Sequence, residues 1–241
     1  MAREFLAWLA VPAGERWLDV GCGTGALSQT IVRHADPERV LGVDASSGYL
    51  SYAREQTVDS RVHCACADAR SLPISDARFD VVVSGLMLNF VAPPERAVFE
   101  MARVVRPKGV VACYVWDYAG GMEMMRCFWD AAAALDPAAH DLDEGVRFPL
   151  CKPEALIELF RAGGLSAVES RAIDVPTVFQ GFLDYWTPFT GGQGPAPAYV
   201  MSLTAEQRAA LRDYLRQRLP SGPDGTISLT ARAWAVRAHK R

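Results

Sequence analysis

A short apolar strand that runs directly into three alternating glycines constrains the fold of this chain more than any other stretch. The stretch is WLDVGCGTGALS, residues 17–28, and small and polar residues after the last glycine open a helix. A glycine loop between a strand and a helix lets the backbone approach a ligand closely, and several nucleotide-binding folds share this feature. The loop therefore predicts an α/β fold with a ligand site, although it does not identify the ligand.

Strands and helices are predicted to alternate along most of the chain, which indicates a mostly parallel, doubly wound α/β sheet. The turn at Asp224-Gly225 suits a hairpin, so the last strand is expected to be antiparallel. A stop at Pro107-Lys108-Gly109 is expected to separate the fourth main helix from the fifth strand. The predicted strands are residues 16–20, 40–43, 61–66, 79–84, 110–116, 165–175 and 226–236. The predicted helices are residues 3–9, 24–34, 46–57, 93–105, 122–135, 153–162 and 205–219.

Composition narrows the classes of partner. The formal net charge is −3 and there is no block of Lys and Arg, which makes a nucleic-acid backbone a poor partner. No apolar run approaches the roughly 20 residues that span a bilayer, and the start lacks a cleavage pattern, so we expect a cytoplasmic location without a membrane span. The basic end, His239-Lys240-Arg241, is predicted to fray. The six cysteines show no Cys-x-x-Cys spacing, which favours buried thiols over disulfides and predicts no metal site.

The chain is predicted to form a single domain, residues 1–241, with lid-like insertions at 118–152 and 177–225. The second insertion holds a Gly/Pro-rich loop at 191–197 and an aromatic cluster. Two interpretations of that cluster are open, because it suits either the lining of an apolar pocket or the packing of a lid. The aromatic residues are Phe179, Phe182, Tyr185, Trp186 and Phe189.

Acidic residues around the loop indicate which ligand it suits. A dinucleotide loop requires Gly-x-Gly-x-x-Gly, whereas Gly21, Gly23 and Gly25 alternate, and Asp19 places a negative charge where a phosphate would lie. A cationic ligand fits that carboxylate better. S-adenosylmethionine carries an ammonium and a sulfonium group and has no phosphate.

Two further aspartates follow the next two strands. Asp44 is placed to accept hydrogen bonds from both ribose hydroxyls, and Asp68 could accept one from an adenine amino group, with the Ala69 backbone nearby. Each aspartate alone is most often a helix cap or a solvated loop residue. Three of them at successive strand ends, together with the glycine loop, predict a site for a cationic nucleoside.

Five motifs together resemble the class I S-adenosylmethionine-dependent methyltransferases, in particular the small-molecule branch with the ubiquinone/menaquinone-type methylases. The resemblance extends over about residues 15–118 and along the closing strands. The motifs are LDVGCGTG (18–25), GVDAS (42–46), ADA with LP (67–69 and 72–73), FDVV (79–82) and RPKG (106–109).

This resemblance implies a Rossmann-like, seven-stranded sheet with a reversed last strand, and S-adenosyl-L-methionine as the cofactor. Members of the family usually carry one or two more helices ahead of the loop than the sixteen residues here allow. Either the chain starts at an internal methionine or the insertion at 177–225 covers the cofactor. The implied cofactor-binding residues are Asp19, Gly21, Cys22, Gly23, Gly25, Asp44, Ala45, Asp68, Ala69 and Ser84.

Methyl transfer from a sulfonium is a direct, in-line displacement, so the protein mainly has to align the reactants, and it needs neither a metal nor a covalent nucleophile. A general base is needed only if the acceptor must lose a proton. Asp117 and Tyr118 are the candidates to orient or deprotonate an acceptor, although these residue types more often serve as a helix cap and a packed aromatic ring. Asn89 stands where many relatives have a histidine.

The predicted acceptor is a small, lipophilic molecule. The end of the fourth strand lacks an Asn-Pro-Pro-Tyr motif and a Pro-Cys nucleophile, which argues against methylation of amino groups in adenine or glutamine and of cytosine C5. Three alternatives stay open: a non-catalytic, regulatory S-adenosylmethionine-binding module, a protein or tRNA methyltransferase, and a nicotinamide oxidoreductase. The motifs do not specify the oligomeric state.

Overall fold

The structure is a computed structural model that describes residues 1–191 and 194–241. The predicted loop at 191–197 therefore lies partly outside the described residues. Seven strands form one mixed sheet in the described part of the chain. These strands are β1 Arg16–Val20, β2 Arg39–Asp44, β3 Val62–Cys66, β4 Phe79–Gly85, β5 Val105–Trp116, β6 Leu165–Phe179 and β7 Ile227–Lys240.

The strand order is β3-β2-β1-β4-β5-β7-β6. The first five strands in this order pair in parallel, and β7 runs antiparallel between β5 and β6. The predicted fold class, a doubly wound sheet with a reversed last strand, is therefore confirmed. The turn before β7 closes with a hydrogen bond from Gly222 N to Thr226 O (2.8 Å) and forms a bridge between Ser221 and Ile227. β7 and β6 are neighbours in the sheet, but residues 180–226 separate them in the chain, so this turn does not join them directly.

The described α-helices occupy the connections, and most of them match the predicted ranges within two residues. Short 3₁₀ turns occur at Leu88–Phe90, Pro137–Leu142 and Thr187–Thr190. The helices are α1 Ala2–Leu9, α2 Ala26–Ala35, α3 Ser47–Gln56, α4 Pro94–Val104, α5 Glu123–Leu135, α6 Glu144–Arg147, α7 Pro153–Ala162, α8 Phe182–Trp186, α9 Pro195–Ser202 and α10 Ala205–Arg218.

The chain divides into two compact units. The first contains residues 1–115, 152–173 and 234–241, and the second contains residues 116–151 and 174–233. The second unit thus takes in nearly all of the two segments predicted as insertions. Whether the chain acts as a single domain with lids stays a prediction.

The predicted start of β5 is wrong by five residues, because Pro107-Lys108-Gly109 lies inside the strand and does not separate it from the preceding helix. β5 begins at Val105, and its register against β4 shifts between Phe79, which pairs with Val105, and Val81, which pairs with Val110. The extra residues form a bulge with Lys108 at φ 64°, and a bulge absorbs turn-forming residues without ending a strand.

The predicted fraying of the basic end is also wrong. β7 continues to Lys240, whose Nζ donates to the carbonyl oxygens of Arg103 (3.0 Å) and Val105 (2.9 Å). Ser166 Oγ donates to His239 O at 3.1 Å. These contacts hold the end of the chain against elements far away in sequence, which a local charge pattern does not reveal.

Continuous apolar runs explain the centre of the first unit. Val81, Val82 and Val83 of β4 are at most 1% exposed, as are Trp17 and Leu18 of β1. Strands that are apolar on both faces are typical of a parallel sheet that is covered by helices on each side. The carboxyl ends of β1, β2, β3 and β4 therefore converge at one edge of a rigid framework.

Asp80 joins the amino ends of the central strands. Its carboxylate accepts hydrogen bonds from Arg16 N (2.9 Å), Arg16 Nε (2.7 Å) and Arg16 Nη2 (3.0 Å), and also from Arg106 Nε. The side chain of Asp80 is only 9% exposed. The hydrogen bonds from Arg16, which are the largest cause, hold the pKa of Asp80 well below its usual range. One carboxylate thus links β1, β4 and β5.

The aromatic cluster packs as part of a core inside the second unit. Phe128 stacks on Phe189 with ring centroids 4.4 Å apart, and Tyr185 is fully buried and donates its hydroxyl to Met124 O at 2.9 Å. Aromatic pairs of this kind add to the stabilisation that burial provides. The structure therefore favours packing over a pocket lining for Phe179, Phe182, Tyr185, Trp186 and Phe189.

We expect Asp80→Asn to lower the free energy of unfolding by about 2–4 kcal/mol, because it leaves two arginines without their shared partner. The folded pKa lies below the unfolded value of about 3.9, so this stabilisation is present above about pH 4 and is lost as the pH falls. Urea unfolding at pH 7 and pH 3.5 measures both effects. Asp76→Asn, whose side chain is 76% exposed beside Arg103, is the matched control and should change stability far less. An equal loss at both pH values would contradict the prediction.

Candidate ligand site at the glycine loop

The glycine loop is held against the end of β2 by its backbone. The N–H groups of Gly21 and Cys22 both donate to Val43 O, at 2.7 Å and 3.0 Å, and Gly23 N donates to Asp44 Oδ2 at 2.9 Å. Gly21, Gly23 and Gly25 all have positive φ. Residues with a side chain rarely adopt this conformation, which explains the three alternating glycines.

Asp44 is fixed by the backbone on both sides. Its Oδ2 accepts from Gly23 N, and its Oδ1 accepts from Ser46 N at 2.8 Å. An ionised carboxylate has about four acceptor positions, so two remain for a ligand. The side chain is therefore oriented before any ligand arrives, and it suits a pair of hydroxyl groups.

A cavity of about 390 Å³ lies beside the loop. Its volume is within the range of pockets that hold small molecules. Five of the ten predicted cofactor-binding residues line it, whereas Asp19, Cys22, Gly23, Gly25 and Ser84 do not. The lining residues are Gly21, Asp44, Ala45, Ala67, Asp68, Ala69, Arg70, Met87, Phe90, Val91 and Ala92.

Asp19 is fully buried at the end of β1. Its Oδ2 accepts from Ser28 Oγ at 2.7 Å, and its Oδ1 has no hydrogen-bond partner. Burial raises the pKa of Asp19 to about 7, and the negative charge of Asp44 contributes in the same direction. A carboxylate that is both buried and half satisfied is costly, which indicates that a donor from outside the protein completes it.

Two further buried polar atoms near the same strand ends lack partners. They are Ser84 Oγ, near the carboxyl end of β4, and Asn89 Nδ2, four residues after the strand ends. Because β1 and β4 are neighbours with Asp19 opposite Val83, Ser84 lies on the strand beside that of Asp19. Unpaired buried polar groups are rare, so this grouping favours a polar ligand at these strand ends.

Cys22 contributes its backbone to the loop, while its thiol packs away from the cavity lining. A Cβ atom added to Gly42 would lie 2.9 Å from Cys22 Sγ, so the absence of a side chain in β2 makes room for this thiol. Burial raises the pKa of Cys22. The thiol is therefore a packing element, and Gly25 serves as the N-cap of α2.

Met87 and Arg70 line the cavity, although the sequence analysis did not single them out. Leu86 has a positive φ of 59° and its N–H donates to Tyr114 O at 2.8 Å, and this turn places Met87 across Gly21. The signal that could have found Met87 is its position directly after β4, where ligands of open α/β sheets bind.

Asp117 and Tyr118 belong to the second unit, where both make internal contacts. The carboxylate of Asp117 accepts from Gly120 N (3.1 Å) and Gly121 N (2.7 Å), which caps a turn. The ring of Tyr118 packs on Phe148 with centroids 5.7 Å apart, and burial raises the pKa of the phenol. Asp117 therefore caps a turn and Tyr118 is a packed aromatic ring, which are the structural alternatives to their predicted catalytic roles.

Among the described residues, no group of three or more His, Cys, Asp or Glu side chains could hold a metal ion. Three of the six cysteines are buried, namely Cys22, Cys113 and Cys151. Within the same described ranges, no helix is both long enough and apolar enough to cross a membrane.

Residues 18–113 match a family described as a methyltransferase domain. The demethylmenaquinone methyltransferase of Clavibacter sepedonicus is 37% identical over 107 residues, which are 44% of this chain and 43% of the relative. The chloroplastic 2-methyl-6-phytyl-1,4-hydroquinone methyltransferase 2 of Oryza sativa is 32% identical over 158 residues, which are 66% of this chain and 41% of the relative. The chain thus spans less than half the length of these curated relatives.

The fold is also similar to that of solved structures. Phosphoethanolamine N-methyltransferase 2 of Haemonchus contortus, in complex with S-adenosyl-L-methionine, has a TM-score of 0.61 with 18% sequence identity. The similarity covers 98% of this chain and 52% of that protein. At this level of identity the comparison supports the fold alone.

We expect Gly21→Ala to destabilise the protein more than Gly23→Ala does. Both glycines have positive φ, so both substitutions carry a backbone cost of about 1–2 kcal/mol. A Cβ atom at Gly21 would also lie 2.2 Å from Met87 Cγ, whereas one at Gly23 meets nothing within 4 Å. This overlap adds about 1–3 kcal/mol.

Urea unfolding of the two variants without ligand measures the difference. Adding Met87→Ala to Gly21→Ala should recover part of the loss, because it removes the closest overlapping atom. Equal losses for the two glycines would show that Met87 does not press on the loop.

Proposed function

We propose that residues 18–113, which match a family described as a methyltransferase domain, form a class I methyltransferase domain, and that the chain is an S-adenosylmethionine-dependent methyltransferase. It acts on a small-molecule acceptor by direct, in-line methyl transfer. The observation that carries this proposal is the buried carboxylate of Asp19, whose Oδ1 lacks a partner next to the glycine loop. This atom calls for a cationic ligand, because an anionic one would be repelled with water excluded.

The residues at the strand ends fit the parts of the cofactor. Asp44, with two acceptor positions left, takes the ribose hydroxyls, and Asp68 with the Ala69 backbone takes the adenine edge. Asp19 and Ser84 supply the two unpartnered oxygens for the methionine end. The backbone of Gly21, Cys22, Gly23 and Gly25 forms the loop on which the cofactor rests, and Ala45 lines the cavity beside Asp44.

S-adenosylmethionine supplies, when bound, a methyl group on a positively charged sulfur that a nucleophile can displace. The contribution of the chain is to hold and orient the reactants, which can account for roughly 7–11 kcal/mol of a barrier. Asn89, Asp117 and Tyr118 are the proposed residues for orienting an acceptor. Of these, Asn89 is supported best, because its Nδ2 is buried without a partner.

The names of the relatives favour a small lipophilic acceptor, since one is a demethylmenaquinone methyltransferase and another methylates a phytyl-hydroquinone. The compounds in both names are ring systems of the quinone or hydroquinone type with an isoprenoid tail. We therefore propose an acceptor of this chemical class. A cytoplasmic location and the absence of a nucleic-acid partner remain predictions from composition.

Incubation with S-adenosylmethionine labelled in its methyl group tests the proposal. The acceptors are a panel of prenylated hydroquinones, simple phenols and amines, and the readouts are labelled product and S-adenosylhomocysteine. Label in a quinol product is the expected result. Tighter binding of NADH than of S-adenosylmethionine in calorimetry would overturn the proposal, and binding without turnover on any acceptor would favour a regulatory module.

We expect Asp44→Ala to weaken S-adenosylhomocysteine binding by at least about tenfold, because it removes two charge-assisted hydrogen bonds to the ribose worth about 1.5–3 kcal/mol each. Isothermal titration calorimetry measures this change. Asp59→Ala is the control, since Asp59 also accepts a backbone N–H, from Arg61 at 2.9 Å, but does not line the cavity. An unchanged dissociation constant for Asp44→Ala would refute the ribose assignment.

Asp19→Asn should have opposite effects on stability and on ligand binding. The folded pKa of about 7 exceeds the unfolded value of about 3.9, so the protein loses stability, on the order of 4 kcal/mol, as the pH rises between these values. Asparagine stays neutral and escapes this loss. The variant should therefore melt above the unaltered protein at pH 8, and the difference should shrink towards pH 5.

The same variant should bind S-adenosylhomocysteine more weakly at pH 8, because it lacks the charge that faces the ammonium group. Thermal unfolding without ligand and calorimetry at pH 8 provide the two readouts. A melting difference that does not change with pH, or unaltered affinity, would contradict the role given to Asp19.

A further inference from the structure

Arg70 binds the carboxylate of Asp68 with three donor groups. Its backbone N–H donates to Oδ1 at 2.8 Å, its Nη2 donates to Oδ2 at 2.7 Å, and its Nε lies between the two oxygens at 3.0 Å and 3.1 Å. These bonds, of which the side-chain ones are the largest cause, lower the pKa of Asp68 to about 2. Asp68 is therefore ionised and held in one orientation.

The remaining arm of the guanidinium reaches the opposite wall of the cavity. Arg70 Nη1 donates to Ala92 O at 2.9 Å. Ala92 follows Phe90 and Val91 in the segment after β4, and all three residues line the cavity together with Asp68 and Arg70. One side chain thus connects the loop after β3 with the loop after β4.

The three donors of Arg70 limit how many further hydrogen bonds the carboxylate of Asp68 can accept. A carboxylate offers about four acceptor positions, and Arg70 supplies three N–H groups, one of which is shared between Oδ1 and Oδ2, so capacity for one further N–H remains. One free acceptor position matches one N–H of an exocyclic amino group. Asp44 differs from Asp68 in this respect, because it retains two positions.

We propose that Arg70 is a positioning residue for the adenine end of the cofactor, an inference that rests on the proposed function. It holds Asp68 so that a single oxygen lone pair faces the 6-amino group of adenine. A fork with several fixed donors is required for this, and a lysine supplies only a point charge.

The chain contains a built-in comparison for this arrangement. Arg61 binds Asp59 in the same way, through its N–H (2.9 Å), Nε (3.1 Å) and Nη2 (2.9 Å), and its Nη1 donates to Asp36 Oδ1 at 2.9 Å. The pKa of Asp59 is also lowered to about 2 by these bonds. Neither residue lines the cavity. The two Asp-x-Arg turns use the same three donor groups and differ mainly in location, although Arg70 Nε contacts both oxygens of its aspartate and Arg61 Nε contacts one.

Two ligands separate adenine recognition from general effects on binding. They are S-adenosylhomocysteine and its analogue in which the purine lacks the 6-amino group, titrated by calorimetry into the unaltered protein and into Arg70→Ala, Arg70→Lys, Asp68→Ala and Arg61→Ala. The unaltered protein should bind the first ligand at least about fivefold more tightly, which corresponds to one hydrogen bond to a charged acceptor.

Arg70→Ala should remove most of this preference by weakening S-adenosylhomocysteine binding while changing the affinity for the analogue less than about twofold. Arg70→Lys should not rescue the preference, and Arg61→Ala should retain it. Arg70→Ala and Asp68→Ala should not be additive when combined, because they act through one contact.

Several results would contradict the role of Arg70. Equal weakening of both ligands by Arg70→Ala would overturn the positioning role, because a merely structural residue has that effect. Retention of the full preference in Arg70→Ala, or no preference in the unaltered protein, would also overturn it while leaving the proposed function intact. Failure of the unaltered protein to bind S-adenosylhomocysteine at all would overturn the proposed function and this inference with it.

Discussion

The carboxylate of Asp80 is the contact on which the geometry of the first unit depends. It belongs to the second residue of β4, and it binds Arg16 at the start of β1 and Arg106 near the start of β5. Three neighbouring parallel strands are thereby aligned at their amino ends. Because strands are stiff and nearly straight over a few residues, alignment at one end also determines where their carboxyl ends lie. The candidate site occupies those ends, so an ion pair on the far edge of the sheet helps to define it.

The two edges of the sheet handle charge differently. At the amino ends, the negative charge of Asp80 is balanced by two arginines, and the resulting network contributes to stability. At the carboxyl ends, Asp19 is buried without a cationic partner among the described residues, and its Oδ1 has no hydrogen-bond partner, while its Oδ2 accepts from the hydroxyl of Ser28. This arrangement lowers the stability of the ligand-free protein, and natural proteins tolerate such a loss mainly where function requires it. The contrast supports a cation as the ligand of the loop.

Local patterns predicted the central elements well because their physical causes are local. The apolar run at β1, the proline start and glycine end of α7, and the alternating glycines all lie within a few residues of the structures they determine. The bulge around Lys108, the anchoring of Lys240 and the position of Met87 over Gly21 depend on contacts between distant segments, and no pattern along the chain encodes them. Five of the ten predicted cofactor-binding residues line the cavity. Arg70 lines it as well, and its position depends on a contact with Ala92, 22 residues away, which no local pattern predicts.

The similar turns at Asp59 and Asp68 illustrate why sequence patterns are limited. Both read Asp-x-Arg, and in both the arginine uses its backbone N–H, Nε and Nη2 as donors, while their positions relative to the sheet edge differ. A short motif therefore specifies a local geometry, while the surrounding fold determines whether that geometry faces a ligand.

The pKa of Asp19 near neutrality has a consequence for how the site would take up a cation. Because burial raises this pKa, the carboxyl group keeps its proton to a higher pH in the ligand-free protein than an exposed aspartate does. Under the proposed function, an arriving ammonium group would displace that proton, so binding would exchange one cation for another and the interior would gain little net charge. The heat of binding would then depend on the ionisation enthalpy of the buffer that accepts the proton, which makes the buried aspartate observable without any change to the protein.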